Sequence, residues 1–236
     1  MTSPREAAQA TRAVSERTAK IDATARAGVL RGIAECLEAA VPIIQMMNSK
    51  DVQAAKAAGL TEEAAGRLRI TGERVTGVVV FLREVAASPD PLEGGLRRPR
   101  GVVLVVDHVD PLGIIRAFAL CFMAGNGSIL CGHALARESS ITLMKFIHAV
   151  LVGYELPTDV CLVPYNATTE ELADLFTAND LTDLAITLGD ADLHALATGH
   201  AAMPLIVQPD GAPHLFAGMA PALALESLTL PHGPPA

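Results

Sequence analysis

Between residues 98 and 134 the apolar and polar positions fall into blocks that predict a strand, a helix and a second strand. Residues 102–106 form an unbroken β-branched and aliphatic run, the length of a strand buried on both faces. Over 111–124 the apolar residues recur at helical spacing, Gly125-Asn126-Gly127 stops that helix, and 128–131 resumes extended structure. Such a unit needs a right-handed crossover and a parallel sheet, whose ligands sit in the crevice at the carboxyl ends of the strands. The turns at 107–112 and 131–134 are therefore the first places to look for function.

The pattern before this unit is helical. Helices are predicted over 4–21, 24–40 and 43–58, the last closed by Gly59; Thr61-Glu62-Glu63 caps a further start, and 71–87 forms another helix before Ser88-Pro89-Asp90-Pro91. After it, helices over 136–154, 169–178 and 191–197 alternate with strands over 160–164, 184–188 and 205–208. The expected fold class is α/β: a Rossmann-like, doubly wound, mostly parallel sheet in three layers, preceded by N-terminal helices. One domain is expected over 1–230, helical over 1–90 and α/β over 98–230, with a disordered tail at 231–236.

Composition adds further constraints. Half of the 236 residues are hydrophobic and only 19% are charged, and the mean hydropathy of +0.36 is high for a chain that lives in water. Some apolar surface should therefore be covered by another subunit, so a homodimer or other homo-oligomer is expected. The net charge of −8 and the scattering of the eighteen Lys and Arg exclude nucleic acid as a partner. No apolar run approaches the roughly 20 residues of a membrane span, and the N-terminus is polar, so no membrane partner and a cytoplasmic location are expected. Cys36, Cys121, Cys131 and Cys161 are widely spaced without a C-x-x-C pair, which points to buried reduced thiols.

An ordered series of residues carries a family resemblance. Asn48-Ser49-Lys50-Asp51, Gly59-Leu60, Arg67-Leu68, Thr71, Arg74, Arg83-Glu84-Val85 and Asp90-Pro91 are followed by Pro99, Gly101, Pro111, Leu120-Cys121, Gly125-Asn126 and Ile129-Leu130. The series resembles γ-glutamyl phosphate reductase (glutamate-5-semialdehyde dehydrogenase), of the aldehyde dehydrogenase superfamily. The resemblance covers nearly the whole chain but roughly the N-terminal half of the family's. It implies an NADP-type Rossmann-like domain preceded by helices, with the nucleophilic cysteine in a later catalytic domain. None of the four cysteines matches that nucleophile; Cys121 corresponds to a family cysteine within a core helix. The segment 91–98 is shorter than the family's, whose strand or hairpin there helps oligomerisation.

The departures fall on the ligand positions. Where the family's first turn has an acidic residue, a spacer and Arg-Pro-Asn, this chain has His108, Val109, Asp110, Pro111 and Leu112. Where the second turn has Arg-Gly-Gly-Lys it has Cys131-Gly132-His133-Ala134, and the later Pro-Arg-Gly-Gly is Thr187-Leu188-Gly189-Asp190. Cations that would neutralise phosphate are replaced by apolar or acidic groups. A redox-inactive, truncated homologue is expected, with no cofactor and no metal; NADP-dependent reduction is the least expected activity.

What remains with acid-base potential is Asp107-His108-Val109-Asp110. His108 is the candidate proton carrier, with Asp107 and Asp110 to orient it; the plain alternative is two turn-forming aspartates and a solvated histidine. Leu112, Cys131, His133, Ala134, Leu188 and Asp190 are the expected lining, and Glu138 is expected nearby. A fairly apolar small organic molecule should suit such a crevice, turned over by a redox-neutral step of cyclase or isomerase type. The other class of function is a non-catalytic pseudoenzyme acting as an interaction or scaffold partner. Elsewhere, His194 and His200 lack a third metal ligand, His214 reads as structural, Lys145 and His148 as a solvated helix edge, and Tyr154 as an amphipathic helix end.

Overall fold

The computed structural model describes residues 3–108, 110–132, 135–165, 167–209 and 220–232. Five helices come first: α1 (Pro4–Ala19), α2 (Ala23–Ala39), α3 (Val41–Ala57), α4 (Glu62–Arg67) and α5 (Gly72–Ala87). Their starts follow side-chain chemistry. Ser3 and Glu6 form a capping box on α1, while Asp22, Thr61 and Thr71 accept the third amide of α2, α4 and α5. Gly59, at φ +95°, supplies the left-handed residue that lets the chain leave α3.

A short strand β1 (Arg97–Pro99) leads into β2 (Val102–Asp107), α6 (Gly113–Met123) and β3 (Gly127–Cys131). There follow α7 (Arg137–Gly153), β4 (Cys161–Leu162), α8 (Thr169–Thr177), β5 (Leu184–Gly189), α9 (Ala191–His200) and β6 (Leu205–Pro209), then α10 (Pro221–Ser227) and β7 (Thr229–Pro231). Strands β2 to β6 form a parallel sheet in the order β4-β3-β2-β5-β6. The expected α/β architecture is therefore present, with the strand order reversing between β2 and β5.

Burial on both faces explains the continuous apolar runs. Every residue of β2, β3 and β5 is buried. Val103, Val105, Leu130, Leu184 and Ile186 pack toward α6, α7 and the α2–α5 layer, whereas Val102, Leu104, Val106, Ile129 and Ala185 face Leu172, Leu175, Phe176 and Leu193 of α8 and α9. Helix α6 lies between sheet and helical layer, so all its residues except Arg116 are buried, with Phe118 and Phe122 stacked at 5.1 Å.

Three features differ from the sequence expectation. Strand β4 is two residues long because a 3-10 turn takes Thr158–Val160. β1 and β7 pair antiparallel, in a small sheet that periodicity does not reveal in segments of three residues. That pairing also holds Pro231, and His232 donates its amide to the Leu96 carbonyl, so the disorder expected from residue 231 does not extend to those two. Among the described residues no helix is long and apolar enough to cross a membrane.

Candidate functional site: a crevice at the sheet's switch point

The register places Asp107 opposite Leu188 and Val106 opposite Cys131, so the ends of β2, β3 and β5 open on the same edge. His108 continues the ladder one step beyond β2 by donating its amide to the Leu188 carbonyl at 2.9 Å. The following turn passes close by: a Cβ built on Gly189 would stand 3.4 Å from that of His108. Asp190 then caps α9, accepting the Leu193 amide at 3.0 Å. Burial pushes the half-buried His108 imidazole below its ordinary pKa, and the negative charge of Asp190 opposes the shift.

His108 and Cys131 share the wall of a cavity of about 200 Å³ with Gly132, Pro164, Ala167, Thr169 and Leu172. Two of the expected site residues are thus brought together. Apart from Gly132 after β3, the rest of the wall comes from the β4–α8 connection and α8, through Pro164, Ala167, Thr169 and Leu172, none of them charged. Thr168, with Glu171, forms a capping box that fixes the start of α8 beside the cavity.

The two aspartates serve the turn. Asp107, 2% exposed, accepts the Asp110 amide at 3.1 Å, and its carboxylate lies against the backbone of Gly113, where any Cβ would collide with it. Asp110 accepts the Leu112 amide at 2.9 Å and is held between Arg74, at 2.6 Å, and Arg116. Its charge is therefore spent on two guanidiniums rather than left in the crevice, which corrects its assignment as an orienter of His108. The charge of Asp190 does act on the imidazole. Neither arginine is discernible as a partner from the chain, since Arg74 lies on the distant helix α5.

The expected lining changes in two further places. Leu112 and Leu188 are 0% and 1% exposed and belong to the core between sheet and helical layer, so neither lines the crevice. Both stand next to the turns in sequence, but the alternation of the strand and the start of α6 turn them inward. His133, Ala134, Val109 and His214 lie outside the described residues. Glu138 pairs with Arg137 at 2.6 Å, and its amide is bound by Asp51 of α3.

Other titratable side chains hold structure. His148 bonds the Cys161 carbonyl at 2.9 Å, so it is more than a solvated edge. His200 bonds the Leu196 carbonyl within its own helix. Among the described residues no three His, Cys, Asp or Glu are grouped to hold a metal. Burial pushes the thiols of Cys131 and Cys161 up to about 12 and that of Cys121 further up, and none of these three is a thiolate near neutrality.

A five-stranded parallel sheet with a crevice at its switch point, preceded by a helical layer, is the arrangement of the aldehyde dehydrogenases. Glyceraldehyde-3-phosphate dehydrogenase from Methanocaldococcus jannaschii, solved in complex with NADP, superposes with a TM-score of 0.68 at 18% identity over 89% of this chain and 46% of that one. γ-Glutamyl phosphate reductase from Thermotoga maritima superposes with a TM-score of 0.80 at 21% identity, over 86% of this chain and 52% of that one. The sequence narrows the class. The chain is a homologue of γ-glutamyl phosphate reductase, 32% identical to the Xanthomonas oryzae pv. oryzae protein over 212 residues, 84% of this chain and 51% of the relative. It spans about half the length of the curated relatives it matches. No family model matches the chain.

Proposed function

We propose that the crevice binds a small, fairly apolar organic molecule and that His108 moves a proton on it in a redox-neutral step of cyclase or isomerase type. The observation that carries this reading is the half-buried imidazole on the wall of a small cavity whose other side chains are mainly apolar. A pKa held low by burial leaves the ring neutral near pH 7, the form that accepts a proton. The proton taken from one carbon or heteroatom of the substrate is returned to another, so no electrons enter or leave. Asp190 supports the transient imidazolium through its charge.

The same crevice does not fit NADP. Its described walls carry no Lys or Arg, and Asp190 places a carboxylate at the start of α9, where a phosphate would otherwise find the positive helix end. A cavity of about 200 Å³ is also small for a dinucleotide, since drug-sized ligands occupy roughly 300–1,000 Å³. NMR of Ala167 and Leu172 methyl groups tests the reading. Indole, used as an apolar probe, should shift both saturably, and His108→Gln should weaken that response while leaving the rest of the spectrum in place. Tight, saturable binding of NADP to the same methyls would overturn it.

A further inference from the structure

A second cavity, of about 390 Å³, lies between α3 and the turn that joins α4 to α5. One wall is a stripe of α3, with Gln45, Ser49, Gln53 and Lys56 at helical spacing; Arg69 and Thr71 form the other. It shares no lining residue with the crevice at His108. Most of its lining residues end in polar groups, with Val52 and Ile70 as the exceptions, while their carbon stems make much of the wall apolar.

The shape is built in by the residue beneath it. Asn48, 2% exposed, donates to the Leu68 carbonyl at 2.9 Å and accepts the Ile70 amide at 2.8 Å. The turn carrying Arg69 is therefore tied to α3 from the inside. The two cations of the cavity differ. Lys56 is neutralised by Glu62 at 2.6 Å, whereas Arg69 makes no ion pair among the described residues, its charge reaching Glu62 only at longer range. Glu73, in the first turn of α5, adds a negative charge beyond the turn but does not line the cavity.

We propose that this cavity binds a small polar molecule bearing an oxyanion, carboxylate or phosphate, with the Arg69 guanidinium as the anion's partner. The side-chain amides of Gln45 and Gln53 hold the polar remainder, and the Ser49 oxygen, whose proton goes to the Met46 carbonyl at 2.7 Å, serves as an acceptor. A guanidinium with no ion pair among the described residues, exposed at the edge of this cavity, suits a planar or tetrahedral oxyanion through its fork of donors. The site is independent of chemistry at His108, so a failure of either reading leaves the other standing.

Amide NMR of the full chain, titrated separately with inorganic phosphate and with succinate at constant ionic strength, tests this. Saturable shifts are expected at residues 49–56 and 69–73. Arg69→Gln should weaken the binding about tenfold, the effect of losing a charged hydrogen-bond donor. Arg69→Lys should recover part of it, and Lys50→Gln, on the exposed side of α3, should change nothing. Saturation by succinate alone identifies a carboxylate ligand and saturation by phosphate alone a phosphate ester; both support the site. Gln53→Leu gives a second, fold-neutral check at an exposed position. The proposal is overturned if neither probe saturates, if the shifts scatter over other Lys and Arg, or if Arg69→Gln binds as the wild type does.

Discussion

Asp51→Ala removes a helix cap that α7 borrows from another helix. Ala136 precedes α7 and offers no side-chain acceptor, so the first amides of the helix depend on Asp51 of α3, which is 4% exposed. Its carboxylate accepts the amides of Glu138 and Ser139 at 2.9 and 2.8 Å and the Ser139 hydroxyl at 2.6 Å. Losing an N-cap costs about 1 kcal/mol, and each buried donor left without a partner adds about 1–3 kcal/mol. With the cap counted for the Glu138 amide and the Ser139 amide and hydroxyl as the two buried donors, the expected loss is about 3–7 kcal/mol, at the upper end of what single substitutions do. Asp51→Asn retains an acceptor and should cost about 1–2 kcal/mol. Because Asn48 donates to the same Ser139 hydroxyl at 3.1 Å, the Asn48→Ala/Asp51→Ala pair should be non-additive by at least about 0.5 kcal/mol. Urea unfolding followed by circular dichroism measures the losses, and amide exchange at 138–142 locates them. A loss below about 1 kcal/mol, or unaltered exchange in α7, would refute the borrowed cap.

Three further outcomes are expected. Gly113→Ala drives a methyl group into the buried Asp107 carboxylate and should destabilise by about 1–3 kcal/mol, as overpacking does, with Asp107→Ala relieving the clash in the double variant; a neutral single variant would show that the turn yields. His108 has a folded pKa below its unfolded one, so its contribution is complete above about pH 6.5 and falls away as pH drops toward the folded value. His108→Gln should therefore flatten the fall in urea midpoint between neutral and mildly acidic pH, and an unchanged slope would remove that role. An aromatic disulfide reagent should titrate Cys36 quickly in the native protein and Cys121, Cys131 and Cys161 only on unfolding; a second fast thiol would contradict the burial described.

The alternation of apolar strands and helices was legible because each central strand is buried on both faces and the helices other than the enclosed α6 bury one. The same double burial concealed which way individual side chains point. Leu112 and Leu188 sit beside the functional turns in sequence yet face the opposite core, and a run of consecutive apolar residues carries no mark of face. Charge was misleading for a related reason. Asp110 looked like an excess carboxylate, but Arg74 and Arg116 reach it through folding. His108 and Cys131 could be placed at the crevice since strand ends follow from the strands themselves. Pro164, Thr169 and Leu172 could not, as they belong to a connection and a helix whose placement depends on the edge strand β4. The Asn48-Ser49-Lys50-Asp51 string, part of the resemblance to the reductases, proves structural in two of its members: Asn48 ties the 68–70 turn and Asp51 caps α7.

The small β1–β7 sheet bears on how the chain acquires its structure. Asn126, fully buried, accepts the Gly101 amide at 2.9 Å and donates to the Leu228 carbonyl at 2.8 Å, while Arg97 reaches the Glu226 carbonyl at 2.7 Å. Residues 220–232 thus rest on a surface that exists only once β2, α6 and β3 are in place. Contacts separated by more than a hundred residues form late, because the closure entropy of the intervening chain must first be met. The strap of α10 and β7 is accordingly a late-docking unit and the first to open, so amide protons of 224–230 should exchange before those of the central strands.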